Sequence, residues 1–81
     1  MPVDKKYGRV WLERTPQSMQ HDEPVFIIRG ADEAAPAAIR SYADAANNVG
    51  ASEELFDDVM AFADEVEEWQ SNNRPHVKVP D

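Results

Sequence analysis

The segment from Ser52 to Trp69 reads SEELFDDVMAFADEVEEW and carries the strongest structural signal in the chain. Its large apolar residues are separated by four, three, four and three positions: Leu55, Val59, Phe62, Val66 and Trp69. That spacing is typical of a helix packed against another helix. Ser52 is a favoured N-cap, and the two glutamates after it are stabilised by the helix dipole. The segment therefore predicts a helix over residues 52–70.

A second helix is predicted immediately upstream, over residues 33–48. Asp32 is suited to cap its N-terminus, and Pro36 falls in the first turn, where a proline costs least. Gly50 is the expected left-handed residue that ends this helix. The buried side is indicated by four apolar residues at helical spacing: Ile39, Tyr42, Ala46 and Val49.

The region before these helices predicts two strands. Residues 6–14 alternate between two faces and are rich in β-favouring side chains. Residues 24–29 form a second β-rich run, and a proline closes each end of the loop between the two. We therefore predict an α+β fold, an antiparallel β-hairpin followed by two packed α-helices. The alternation around Val77 and Val79 permits a short third strand in the C-terminal tail.

The length of 81 residues fits a single domain, which we place at residues 1–81. A chain this short buries only about 60% of its unfolded surface, so its own core is marginal. The helix over 52–70 is apolar over half its circumference, more than one small hairpin and one helix need. We therefore expect a homo-oligomer whose interface contains the same large apolar residues: Leu55, Val59, Phe62, Val66 and Trp69.

The charge is distributed unevenly along the chain. Residues 1–40 contain six basic and six acidic residues, whereas residues 41–81 contain two basic and ten acidic ones, which accounts for the net charge of −8. This charge argues against a nucleic-acid backbone or an anionic membrane surface as the partner. No apolar run resembles a secretory signal or a membrane span, so we expect a cytoplasmic protein.

The acidic residues of the C-terminal half suggest a first candidate site. Eight of them, and no basic residue, lie between residues 53 and 68, on the side of the predicted helix opposite the apolar residues. Such a face could dock on a basic surface of another protein, or it could be a solvated face that only maintains solubility. Like-charge neighbours on a helix cost stability, which argues for a use beyond solubility. The candidate partner-binding residues are Glu54, Asp57, Asp58, Asp64, Glu65 and Glu68.

A second candidate site lies where the predicted strand 24–29 meets the following helix. Arg29 ends the strand, Gly30 allows a turn, and Asp32 starts the helix. A guanidinium and the free N–H groups of a first helical turn could bind an anion, such as a phosphorylated small ligand. The alternative is that Arg29 pairs with a carboxylate and Asp32 only caps the helix.

Catalysis and metal binding have little support in the sequence. The absence of cysteine excludes thiol nucleophiles and thiolate metal sites. His21 lies beside two acidic residues, but adjacent loop residues seldom chelate one ion, and His76 is far away in the chain. No serine has a nucleophile-elbow context, and there is no phosphate-binding loop. We expect no catalytic residues, no metal, no cofactor and no enzymatic activity.

Three parts of the sequence resemble a group of small proteins of tailed bacteriophages and prophages. They are the stretch DEPVFIIRGAD at residues 22–32, the alanine-rich stretch after it, and the ending EEWQ at residues 67–70. The group shares an E-P-x-F strand, an R-x-x-D turn, an alanine-rich helix and a second acidic helix. The resemblance covers residues 7–70. It implies an accessory protein acting in the cytoplasm of an infected bacterium, and it carries over no functional residues.

Three functions are compatible with these observations. The first is a non-enzymatic module that binds and modulates a host defence protein through its acidic helix face. The second is an oligomeric binder of nucleotide second messengers, in which Arg29 grips a phosphate. The third is a structural or assembly protein without a ligand.

Overall fold

Two packed α-helices form the centre of the fold in the computed structural model, which describes residues 3–9 and 11–80. Helix α1 spans Ala35–Asn48 and helix α2 spans Glu53–Asn72, so both predicted helices are confirmed to within two residues at each end. The short connection makes them antiparallel neighbours. The first turn of α1 consequently lies beside the last turn of α2.

Small side chains line the contact between the helices. Ala35 and Ala43 of α1 and Ala63 of α2 are fully buried, and Ala46 and Val66 are nearly so. Because alanine projects only a methyl group, the helix backbones can approach closely. Among the described residues, no large side chain is fully buried.

This contact differs from the predicted apolar sides. Tyr42 and Val49, which the spacing of α1 assigned to the buried side, are 58% and 87% exposed. On α2, Val66 is buried and Val59 half-buried, while Phe62 remains 55% exposed. The prediction gave most weight to large apolar residues, whereas the helices meet along their alanines.

The ends of the helices follow their local sequence. The Ser52 hydroxyl oxygen accepts a hydrogen bond from the Leu55 N–H at 3.1 Å, which confirms the predicted N-cap of α2. At the end of α1, Gly50 has a φ of +97°. The N–H of Ala51 reaches the Ala46 carbonyl at 3.0 Å, and that of Gly50 reaches the Asn47 carbonyl at 3.2 Å. These two bonds form a Schellman motif, as predicted for a glycine at this position.

The N-terminus of α1 is different from the prediction. The N-cap residue is Ala34, which makes no side-chain cap bond. The Asp32 carboxylate instead accepts the Ala34 N–H at 2.8 Å, within the turn that precedes the helix. Asp32 therefore stabilises the approach to α1 rather than its first turn, although Pro36 does lie in that turn.

The predicted hairpin between residues 6–14 and 24–29 is wrong in its pairing. Three two-residue strands form a small sheet: β1 (Val3–Asp4), β2 (Gly8–Arg9) and β3 (Pro24–Val25). Strand β1 lies in the middle, antiparallel to β2 and parallel to β3. Residues 11–14 belong to no strand, and Val10 lies outside the described residues.

The Asp4 carboxylate explains this arrangement. One oxygen accepts the N–H groups of Lys6 and Tyr7, and the other accepts that of Ile27, all at 2.8 Å. The side chain thus closes the β1–β2 turn and ties it to the chain after β3. The N–H of Tyr7, with those of Ile27 and Lys6, lowers the pKa of this nearly buried carboxyl from its ordinary value.

The C-terminal tail returns to the start of α1. After a 3-10 helix over Arg74–His76, the Lys78 N–H donates to the Ala31 carbonyl, and the Lys78 carbonyl accepts the Glu33 N–H, both at 2.9 Å. The permitted third strand is therefore a single parallel bridge between Lys78 and Asp32. Within the described ranges, no helix has the length and apolar character needed to cross a membrane.

We predict that Gly50→Ala destabilises the protein by at least about 1 kcal/mol, because an L-residue is strained at positive φ. An added Cβ would meet no atom within 4 Å at Gly50, so the loss would come from the backbone alone. Thermal unfolding followed by circular dichroism measures the change.

Gly30→Ala is the matched control, because Gly30 is not among the residues with positive φ and also has open space around a Cβ. It should change stability by no more than about 0.5 kcal/mol. Equal losses in both variants would contradict the assigned backbone conformation.

Candidate functional site

Five carboxylates lie along the outer side of α2, three of them before the exposed Ala61 and two after it. All five are exposed, and at 100° per residue they fall within an arc of roughly 100°. In the part of the chain that the structure describes, none of them has a hydrogen bond or an ion pair. We call this set the acidic row: Glu54, Asp57, Asp58, Glu65 and Glu68.

Asp64, the sixth predicted member of the acidic face, is turned toward α1. Arg40 of α1 reaches the Asp64 carboxylate at 2.8 Å and the Glu67 carboxylate at 3.2 Å. Glu67 and Asp64 together raise the pKa of Arg40 above its ordinary value. Asp64 therefore takes part in an ion pair between the helices and is not available in the same way as the acidic row.

Reasoning along the sequence missed the Arg40 bridge because it compared charges only within α2. One signal was present: Arg40 is the only basic residue between Arg29 and Arg74. A lone cation on a helix predicted to pack beside an acidic helix is a natural bridging residue.

On the side of the helix pair opposite Arg40, apolar side chains remain exposed. Tyr42 comes from α1, Val49 is the residue that follows α1, and Leu55 and Phe62 come from α2. The helical angles of these residues, taken relative to the buried alanines, place all four on this side. We call these four residues the apolar patch.

The apolar patch borders the acidic row directly. Asp58 is three residues after Leu55 and four before Phe62, and Glu65 is three residues after Phe62. Residues at these spacings are neighbours on a helix surface. Of the predicted oligomer interface, Leu55 and Phe62 thus remain accessible in this patch, whereas Val59 and Val66 face α1. Trp69 lies further along α2 and is partly exposed.

The predicted anion site is only partly assembled. The Gln70 side-chain amide donates to the carbonyls of Gly30 and Asp32 at 2.8 and 2.7 Å, which fixes this turn against the end of α2. The Ala34 N–H already donates a hydrogen bond to the Asp32 carboxylate, so this N–H is not free to bind an anion at the start of α1. Arg29 is exposed and faces a groove between the N-terminal segment and the tail.

Comparison of the chain with protein-family models, with curated proteins and with solved structures finds no match. Within residues 3–9 and 11–80, no three His, Asp or Glu side chains are placed to hold a metal ion. The chemistry available on α2 is therefore that of solvated carboxylates beside apolar side chains. Such a surface can attract and hold a cationic partner.

Proposed function

We propose that the protein is a non-enzymatic interaction module whose acidic row docks on a basic surface of a partner protein. The observation that supports this most is the set of five exposed carboxylates without an ion-pair partner among the described residues. The resemblance to phage accessory proteins suggests that the partner is a host protein in an infected bacterium. Inhibition or modulation of a defence protein is the corresponding activity.

The energetics of the acidic row favour a cationic partner. Neighbours such as Glu54 and Asp58, four residues apart, repel each other in the free protein. A basic surface would relieve this repulsion and would attract the protein over a Debye length of about 8 Å at physiological salt. Exposed ion pairs are individually worth roughly 0–1 kcal/mol, so the row would act as a set and mainly accelerate association.

The apolar patch supports self-association. Tyr42 and Phe62 are more than half exposed, and large exposed aromatic side chains are frequent in protein interfaces. Copies associated through this patch would present several acidic rows together. Binding of a partner with repeated basic sites would then gain from avidity without any new contact.

We expect Phe62→Gln to weaken self-association and so to lower the molar mass of the particle in solution. The substitution places a polar amide at the centre of the apolar patch. Ala61→Gln, one residue earlier on the exposed side of α2, is the matched control and should leave the mass unchanged. Size-exclusion chromatography with light scattering measures both. A wild-type protein that is monomeric at all accessible concentrations would refute self-association.

The acidic row is tested with a variant that combines Asp57→Asn, Asp58→Asn, Glu65→Gln and Glu68→Gln. We expect the wild type, used as bait in bacterial lysate at low salt, to retain a partner that elutes as salt is raised. The partner is then identified and purified, and its affinity is measured by titration calorimetry. Because the long-range attraction and the ion pairs of four row residues with the basic surface are both lost, the row variant should bind at least about tenfold more weakly.

The control variant removes the same number of charges from exposed acidic positions outside α2: Glu13→Gln, Asp22→Asn, Glu33→Gln and Asp44→Asn. It should bind almost as well as the wild type. An equal loss in both variants would mean that only net charge matters, and unchanged binding by the row variant would exclude the acidic row as the docking surface.

A further inference from the structure

An open groove lies between the N-terminal segment, the end of α2 and the C-terminal tail. Its volume is about 1080 Å³, slightly larger than the roughly 300–1,000 Å³ of small-molecule sites. The walls come from distant parts of the chain: residues 4–7, residues 26–32, the end of α2 and residues 76–80. No residue of the acidic row lines this groove, so the inference does not rest on the proposed docking function.

The charge of the groove is opposite to that of the protein. Four of the eight lysines and arginines of the chain line it, although the net charge of the chain is −8. The basic residues in its wall are Lys5, Lys6, Arg29 and Lys78. The groove is thus where the cations of this acidic protein concentrate.

The two carboxylates in the wall are already engaged by backbone donors. Asp4 accepts three N–H groups through its two oxygens, and one oxygen of Asp32 accepts the Ala34 N–H. Arg29, Lys5 and Lys78 are exposed, and no ion pair joins any of them to a described carboxylate. No described carboxylate therefore competes with an anion for these three cations.

Aromatic rings line the same groove. Phe26 is 86% exposed, and Tyr7 and Trp69 are each a little less than half exposed. Basic side chains beside exposed rings are the combination used for nucleotides, since the cations pair with phosphate oxygens and a ring stacks on the planar base. An inorganic anion would use only the first of these features.

We propose that the groove binds a nucleoside phosphate, with Arg29, Lys5 and Lys78 contacting the phosphate oxygens and Trp69 or Phe26 stacking on the base. The acidic row does not prevent this. None of its five members lines the groove: even Glu65 and Glu68, four residues and one residue before Trp69, lie on the outer side of α2.

Trp69 provides a direct optical signal for the test. The only other tryptophan, Trp11, is exposed and does not line the groove. In the Trp11→Phe variant, Trp69 is the only tryptophan, so a change in tryptophan fluorescence reports on the groove. ATP, ADP, a cyclic dinucleotide, pyrophosphate and adenosine are titrated separately into this protein.

We expect saturable quenching of Trp69 by at least one of the three nucleotides, and at least about tenfold weaker effects of pyrophosphate and adenosine, each of which offers half of the contacts. In the same background, Arg29→Gln and Lys78→Gln should each weaken nucleotide binding by about tenfold, the value of one charge-assisted hydrogen bond. Arg14→Gln removes the same charge from an exposed position outside the groove and should have no effect.

Three results would overturn the proposal. One is the absence of quenching by any of the three nucleotides up to about 1 mM, a concentration that detects even weak sites. The second is pyrophosphate binding as tight as that of the nucleotides, which would indicate a plain anion site. The third is an equal loss of nucleotide affinity in Arg14→Gln and Arg29→Gln, which would indicate nonspecific electrostatic attraction. None of these results bears on the acidic row, so the two proposals fail independently.

Discussion

The close contact between α1 and α2 is the constraint on which the other features depend. It is made by small side chains, with Ala35 and Ala43 on one helix and Ala63 on the other completely shielded from solvent. Alanine has the highest helix propensity and loses no side-chain entropy on burial, so this contact is compatible with two regular helices. It buries little apolar area per residue, however, and a domain of this size has a small margin of stability.

The surfaces of the protein follow from that contact. Since alanines occupy the space between the helices, the large apolar residues Tyr42 and Phe62 are left on one side of the pair. Arg40 bridges the helices on the other side, and the acidic row points outward. At the end of α2, the buried Gln70 amide holds the turn before α1, and this anchors one wall of the basic groove. The protein thus presents an acidic row along α2 and a basic groove whose cations come from the N-terminal segment, the turn before α1 and the C-terminal tail.

The helices and their caps were predictable because their signals are local. Ser52 and Gly50 act within one turn of their own position, and helical spacing requires no knowledge of the rest of the chain. The sheet was not predictable in this way, because β1 pairs with β3 across about twenty residues and two-residue strands leave little pattern. The exposure of Tyr42 was missed for another reason. Helical spacing shows which residues share a face, but it does not show whether the large residues or the alanines of α1 contact α2.

The candidate sites show the same distinction. The acidic row was visible in the sequence because its members lie on one helix. Only Asp64 was assigned to the wrong surface, because its ion pair with Arg40 of α1 is seen only in the fold. Of the residues that line the groove, the predicted anion site contained only Arg29 and Asp32. Lys5 and Lys78 stand at opposite ends of the chain, and only the fold brings them to the same wall as Trp69.

The most direct test of this account is the stability of Ala63→Leu compared with Ala61→Leu, measured by urea unfolding. Both substitutions add the same side chain to α2, but Ala63 is fully buried against α1 and Ala61 is exposed. We predict that Ala63→Leu lowers the free energy of unfolding by about 1–3 kcal/mol, because a leucine overpacks the contact, whereas Ala61→Leu changes it by no more than about 0.5 kcal/mol. A leucine at position 63 that is neutral or stabilising would contradict the close approach of the two helices.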